Sequence, residues 1–249
     1  MAQVFPFAAL RFSDKAGDFA KLTCPPYDII SEEQRKAYLA ENPHNIIRLE
    51  LPRDGEDPYA VAGETLKSWL ESGILKKDDA AAFYIYAIDF TVDGEQKSIA
   101  GLVGRVRLTP FSEGVVLPHE ETLSKAKADR LQLMRATGCN FSNIYSLYRE
   151  DDAASPLHDV TAFTAKAALL HDMTDENGLR HRLWAITDKT ETAAITAAFA
   201  DKKLYIADGH HRYETALNYR RELEEAGKPT ENADCCMMML VEMSHKGLW

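Results

Sequence analysis

The stretch 82–108, AFYIYAIDFTVDGEQKSIAGLVGRVRL, constrains the fold more than any other. Two runs rich in aromatic and β-branched residues, 82–92 and 96–108, flank Asp93-Gly94. Asp-Gly readily takes the positive φ angles that a tight two-residue turn demands, so the pattern predicts a long antiparallel hairpin. That argues against a doubly wound parallel sheet. Helix and strand patterns alternate further on, so the chain is expected to be α+β: mixed sheets with hairpins and packed helices.

Upstream of the hairpin, Pro25-Pro26 exclude a helix and fix an extended segment ahead of Tyr27-Asp28. Ser31 and Gln34 fit a capping box for a helix over 32–41, which Asn42-Pro43 stops. Residues 46–51 read as a short strand. Asp57-Pro58 opens a further helix, and Tyr59, Ala62, Leu66, Trp69 and Leu70 recur along it at helical spacing until Gly73. Downstream, 113–120 reads as a loop and 121–137 as a helix ending at Gly138. The second half predicts strands at 143–149, 183–187, 203–207 and 236–243. Helices are expected at 156–170, at 189–200 behind an Asp188 cap, and at 213–226. The acidic stretch 151–155 is a soft boundary: it divides 1–150 from 151–249, or lies within one domain.

The chain has 249 residues and a formal net charge of −10, which argues against a general nucleic-acid binder but not against a small basic pocket. No run approaches the roughly 20 apolar residues that span a bilayer. The N-terminus lacks a signal-peptide pattern. Cys24, Cys139, Cys235 and Cys236 show no CxxC spacing, and the adjacent pair would face opposite sides of a strand. A reduced, cytoplasmic protein without membrane or nucleic-acid partners is expected.

Three clusters could carry chemistry. In LYIADGHHRYETAL (204–217) an apolar run stops at Asp208-Gly209, and a helical pattern follows. A helix start offers unpaired N–H groups and partial positive charge. Gly209 lets the backbone approach closely, while His210, His211 and Arg212 add donors. Asp208 would repel a bare phosphate but could hold Mg²⁺ beside one. A capped surface turn is the competing reading. In the second cluster, His119-Glu120 precedes Lys127 and Arg130, which share a helix face three residues apart. It could supply a general base and phosphate ligands, or be an amphipathic helix burying Leu123, Leu131 and Met134. In the third, Pro25-Pro26 could hold Tyr27 and Asp28 in a pocket, or simply make a turn. Asp208, His210, His211 and His119 are also metal-ligand types, but no HxxxH or HxH pair accompanies them, which argues against zinc.

Together these clusters resemble the domain-of-unknown-function 1015 family. The stretches that carry the resemblance are CPPYDIIS (24–31), NPHNIIRL (42–49), the run 119–148 that includes Asn140, and IADGHHRYETAL (206–217). Members look related to the ParB/sulfiredoxin superfamily, where a comparable glycine-basic loop opening a helix binds nucleotide phosphates. The resemblance therefore implies a ParB/sulfiredoxin-like nucleotide-binding core. It also narrows the chemistry, because His210 stands where sulfiredoxins carry their catalytic cysteine, and nothing reads as ParB's helix-turn-helix. The serine-kinase-like branch is the nearest match. Relatives continue past the equivalent of Trp249, so a truncated chain or a natural short version are both open.

On these grounds the expected function is a Mg-dependent phosphotransferase using ATP or ADP on a small metabolite such as free serine. Gly209, His210, His211, Arg212, Lys127 and Arg130 would bind phosphates or substrate carboxylate, with Mg²⁺ near Asp208. Glu120 would be the base, His119 its alternate, and Tyr27, Asp28 and Asn140 further pocket residues. A non-catalytic nucleotide or metabolite sensor, and a phosphatase or nucleotidase, are the alternatives. A homodimer is left open.

Overall fold

A computed structural model describes residues 1–120, 124–231 and 233–248, the side chains of 124–126 excepted. Two short strands open the chain, β1 (Val4–Phe5) and β2 (Leu10–Phe12). After Pro25-Pro26 comes a single 3-10 turn over Tyr27–Ile29. Helix α1 (Glu32–Glu41) starts at the expected capping box, with Ser31 and Gln34 bonding each other's backbone N–H.

The expected strand at 46–51 is instead a helical turn, α2 (Ile47–Glu50). Asn45 explains the difference. It is fully buried, its amide donates to the carbonyls of Lys21 and Thr23, and its Oδ1 accepts from Ile47 N–H. Such side-chain-to-backbone bonding favours a turn over an extended run. Helix α3 (Pro58–Glu71) follows, capped by Asp57, whose Oδ1 accepts from Tyr59 and Ala60 N–H. Strand β3 (Leu75–Lys77) returns to pair with β2.

The hairpin is as long as its pattern indicates: β4 (Phe83–Val92) and β5 (Glu95–Arg107) pair from Tyr84↔Val103 to Val92↔Glu95. Asp93 and Gly94 take φ of 52° and 80° at the turn. The region expected as a loop holds a short strand, β6 (Val116–Leu117). Helix α4 (Ser124–Thr137) ends before Gly138, and the first residues of the expected helix, 121–123, Leu123 among them, lie outside the described ones. Strand β7 (Ile144–Tyr148) comes next.

The helix expected over 156–170 does not form. A 3-10 segment at Val160–Ala165 leads into β8 (Ala168–Thr174), the partner of β9 (Arg180–Ile186). Asp175 closes that hairpin by accepting from Asn177 and Leu179 N–H, so pairing captures residues that could have been helical. Helix α5 (Lys189–Ala198), β10 (Leu204–Asp208), α6 (His210–Glu225) and β11 (Cys235–Glu242) complete the chain.

Among the described residues, nine strands form one mixed sheet in the order β6-β10-β7-β11-β5-β4-β9-β8, with β1 alongside β5. Strands from both sides of 151–155 are interleaved in it. The fold is α+β. Both sheet faces are covered: Phe83, Leu102, Met238, Phe199 and Tyr213 belong to one core, and Tyr84, Val103, Met239 and Val241 to another. A third core joins α3 to α4 and β3 through Leu66, Trp69, Leu75 and Leu133. No helix among the described residues is long and apolar enough to cross a membrane.

Candidate functional site

Strands β6 and β10 run parallel, in register Leu204↔Val116 and Tyr205↔Leu117. That register brings two distant segments level at the carboxyl ends of both strands. His119-Glu120 leaves β6 just where Asp208-Gly209 leaves β10. The His119 Nδ1 lies 2.7 Å from the Ile206 carbonyl oxygen. A carbonyl only accepts, so Nδ1 of this exposed ring carries a proton, and in the neutral tautomer Nε2 has the lone pair.

Gly209 is the N-cap of α6 with φ of 95°, and among the described residues no side chain caps the helix. The first internal bond runs from Tyr213 N–H to the Gly209 carbonyl, so the N–H groups of 210–212 precede the helical ladder. The helix thus begins at His210, three residues earlier than periodicity indicates. Arg212 folds back over the glycine, its Nη2 2.5 Å from Asp208 Oδ2 and its Nη1 2.5 Å from the Asn143 carbonyl. A Cβ at 209 would lie 3.0 Å from that guanidinium. Asp208 remains 73 % exposed despite the ion pair.

His210 faces inward and is 1 % exposed. Its Nε2 accepts from His119 N–H at 3.2 Å, which leaves the proton of the neutral ring on Nδ1. Nδ1 lies 2.9 Å from Glu120 Oε1, but off the line of a well-formed hydrogen bond. Glu120 is half-exposed, so a small side-chain turn aligns the pair. Burial lowers the His210 pKa; Glu120 opposes that shift, while His119 adds to it. Burial therefore favours the neutral ring, whose Nδ1 stands within reach of the Glu120 carboxylate.

His119, Glu120 and His210 have the residue types of a metal site, with one ligand atom from each within 4.8 Å of the others. The His119 N–H bond fits this poorly, since it occupies Nε2 of His210 and leaves a proton on the nitrogen facing Glu120. Asp208 and His211 do not join this group.

The remaining expected residues fall into two places. Lys127 reaches Glu214 on α6 at 2.7 Å. Arg130 turns away from it and is 7 % exposed. Its Nε and Nη2 bond Asp129, its Nη1 bonds the Glu50 carbonyl, and its guanidinium sits 3.9 Å above the Tyr27 ring. Asn140 accepts from Met237 N–H and lines a cavity together with Arg130 and Arg212. Asp28 acts electrostatically on Glu50 and Tyr27, raising the pKa of each. Sequence reasoning passed over Glu50 and Thr215, which line the same cavity. The signal was faint: a glutamate ending the stretch NIIRLE, and a single threonine among the residues that α6 buries.

Fold and site together define an α+β protein with a glycine-opened helix start beside a cluster of His119, Glu120 and His210. Over residues 4–249 the chain matches the family described as Protein of unknown function (DUF1015), and it belongs to that family. No curated protein and no solved structure matches it.

Proposed function

We propose that the protein is a nucleotide-dependent phosphotransferase acting on a hydroxyl of a small metabolite. One observation carries the reading: the uncapped start of α6 opens beside Glu120 and His119. An anion site and a base side by side are what phosphoryl transfer needs, since it depends on charge neutralisation and alignment more than on covalent help. The likeness of the Gly209–Arg212 loop to ParB/sulfiredoxin phosphate loops supports the same reading.

In this reading the N–H groups of His210, His211 and Arg212 take the donor's phosphate oxygens, with the Arg212 guanidinium alongside. Asp208, exposed and next to that loop, fits a Mg²⁺ ligand, which would neutralise phosphate charge. The Glu120 carboxylate accepts the proton of the attacking hydroxyl, and the neutral His210 holds it in place through Nδ1–H. His119 Nε2 is the alternate acceptor.

The test combines ATP or ADP with Mg²⁺ and a pooled metabolite mixture, and mass spectrometry looks for a newly phosphorylated species. Glu120→Gln should cut turnover by about 10²–10⁴ while leaving nucleotide affinity near wild type. A wild-type protein that binds nucleotide yet phosphorylates nothing would favour a sensor. Release of inorganic phosphate without an acceptor would favour a phosphatase.

A further inference from the structure

Arg212 borders a second feature, a cavity of about 40 Å³ away from the His119–Glu120 pair. Glu50 from α2, Arg130 from α4, Asn140 and Ser142 from the loop after it, and Thr215 from α6 contribute to its wall. Glu50 is 6 % exposed and Thr215 0 %. Among the described residues, neither Glu50 Oε1 nor Thr215 Oγ1 has a hydrogen-bond partner. Buried polar atoms are nearly always paired, so two orphans on one cavity suggest a missing third party.

The charges nearby define what is missing. Arg130 directs Nε and Nη2 at Asp129 and Nη1 at the Glu50 carbonyl, and Arg212 bonds Asp208 and the Asn143 carbonyl. Those bonds aim both guanidiniums at other acceptors, and none of them reaches the buried Glu50 Oε1 or the Thr215 hydroxyl. A compact group with several N–H bonds and a positive charge answers both. The space suits it, since a water's share of liquid volume is about 30 Å³ and an ammonium group is of similar size.

We infer that this cavity binds the ammonium group of a small amine-bearing molecule, with Glu50 Oε1 and Thr215 Oγ1 accepting its N–H bonds. The site meets the proposed phosphate loop at Arg212, and its occupation needs no nucleotide.

The test uses the full chain, isotope-labelled and free of nucleotide, titrated with methylammonium chloride at neutral pH. Acetamide and potassium chloride serve as the uncharged and the non-hydrogen-bonding controls. Saturable shifts of the Glu50, Ser142 and Thr215 amide signals are expected with methylammonium alone. Glu50→Gln and Thr215→Val should each weaken binding about tenfold or more, as loss of a hydrogen bond to a charged group does. Thr215→Val preserves shape, so it decides the matter if Glu50→Gln folds poorly. Three results would each overturn the inference: no saturable shift in the wild type, unchanged affinity in a folded Thr215→Val variant, or an equal response to potassium.

Discussion

At Gly209 two demands meet: a φ of 95° and a guanidinium 3.0 Å from where a Cβ would stand. An alanine must adopt a left-handed conformation and push Arg212 off both Asp208 and the Asn143 carbonyl. Gly209→Ala should cost about 1–2 kcal/mol in urea unfolding, and nucleotide affinity should fall with it in calorimetry. Unchanged values of both would mean that neither the glycine nor the position of Arg212 matters. The residue types at this loop were legible in the sequence, but their directions were not. DGHHR presents one carboxylate and three potential cations to a reader of letters. Folding spends the charge of Arg212 on Asp208 and buries His210 against Glu120. Which histidine turns inward depends on the register of β6 with β10, and that register joins segments about 90 positions apart, as the His119–His210 bond shows.

Elements whose boundaries rest on local chemistry were readable: the Ser31 capping box, the Asp57 cap with Pro58, the Asp188 cap and the Asp93-Gly94 turn all stand where the letters put them. Those decided by partners were not. Residues 46–51 have strand-like letters, yet Asn45 ties them to the carbonyls of Lys21 and Thr23 as a helical turn. The segment 156–170 has helix-like letters, yet part of it is drawn into the sheet by β9. Helix packing has a similar hidden determinant at Gly63 on α3, where a Cβ would lie 2.8 Å from the Ala136 carbonyl oxygen of α4. Backbone cannot yield there as a flexible side chain could. Gly63→Ala should therefore force α3 and α4 apart and cost about 1–3 kcal/mol, read as a lowered urea midpoint. Because α4 also carries Arg130 over Tyr27, the same variant should disturb that stack. A wild-type midpoint would show that the two helices separate freely.

Across the whole molecule, folding gathers Tyr27, Glu50, Arg130, Asn140, Arg212 and Thr215 from five separate stretches, and no spacing rule in the sequence announces that meeting. Its consequence can be measured through Glu50. Burial raises the pKa of this carboxyl, and Asp28 pushes the same way; the nearby Ser142 side chain and the charges of Arg130 and Arg212 pull against them. Net, the folded protein holds the Glu50 proton more tightly than the unfolded chain, whose glutamates titrate at about 4.3. Well below that pH both states are protonated and Glu50 costs nothing extra. As pH rises through the raised folded-state value, the unfolded chain ionises first, and stability is lost. Glu50→Gln cannot ionise and escapes the loss. Unfolding free energies of wild type and variant, compared from about pH 4 upward, should therefore shift in the variant's favour until the folded-state carboxyl has ionised, and then level off. A flat difference would mean that Glu50 ionises as readily inside the protein as outside. Methylammonium supplies a further check, because a cation in the cavity stabilises the ionised carboxylate. Adding it near pH 7 should raise wild-type stability and shrink the variant's advantage.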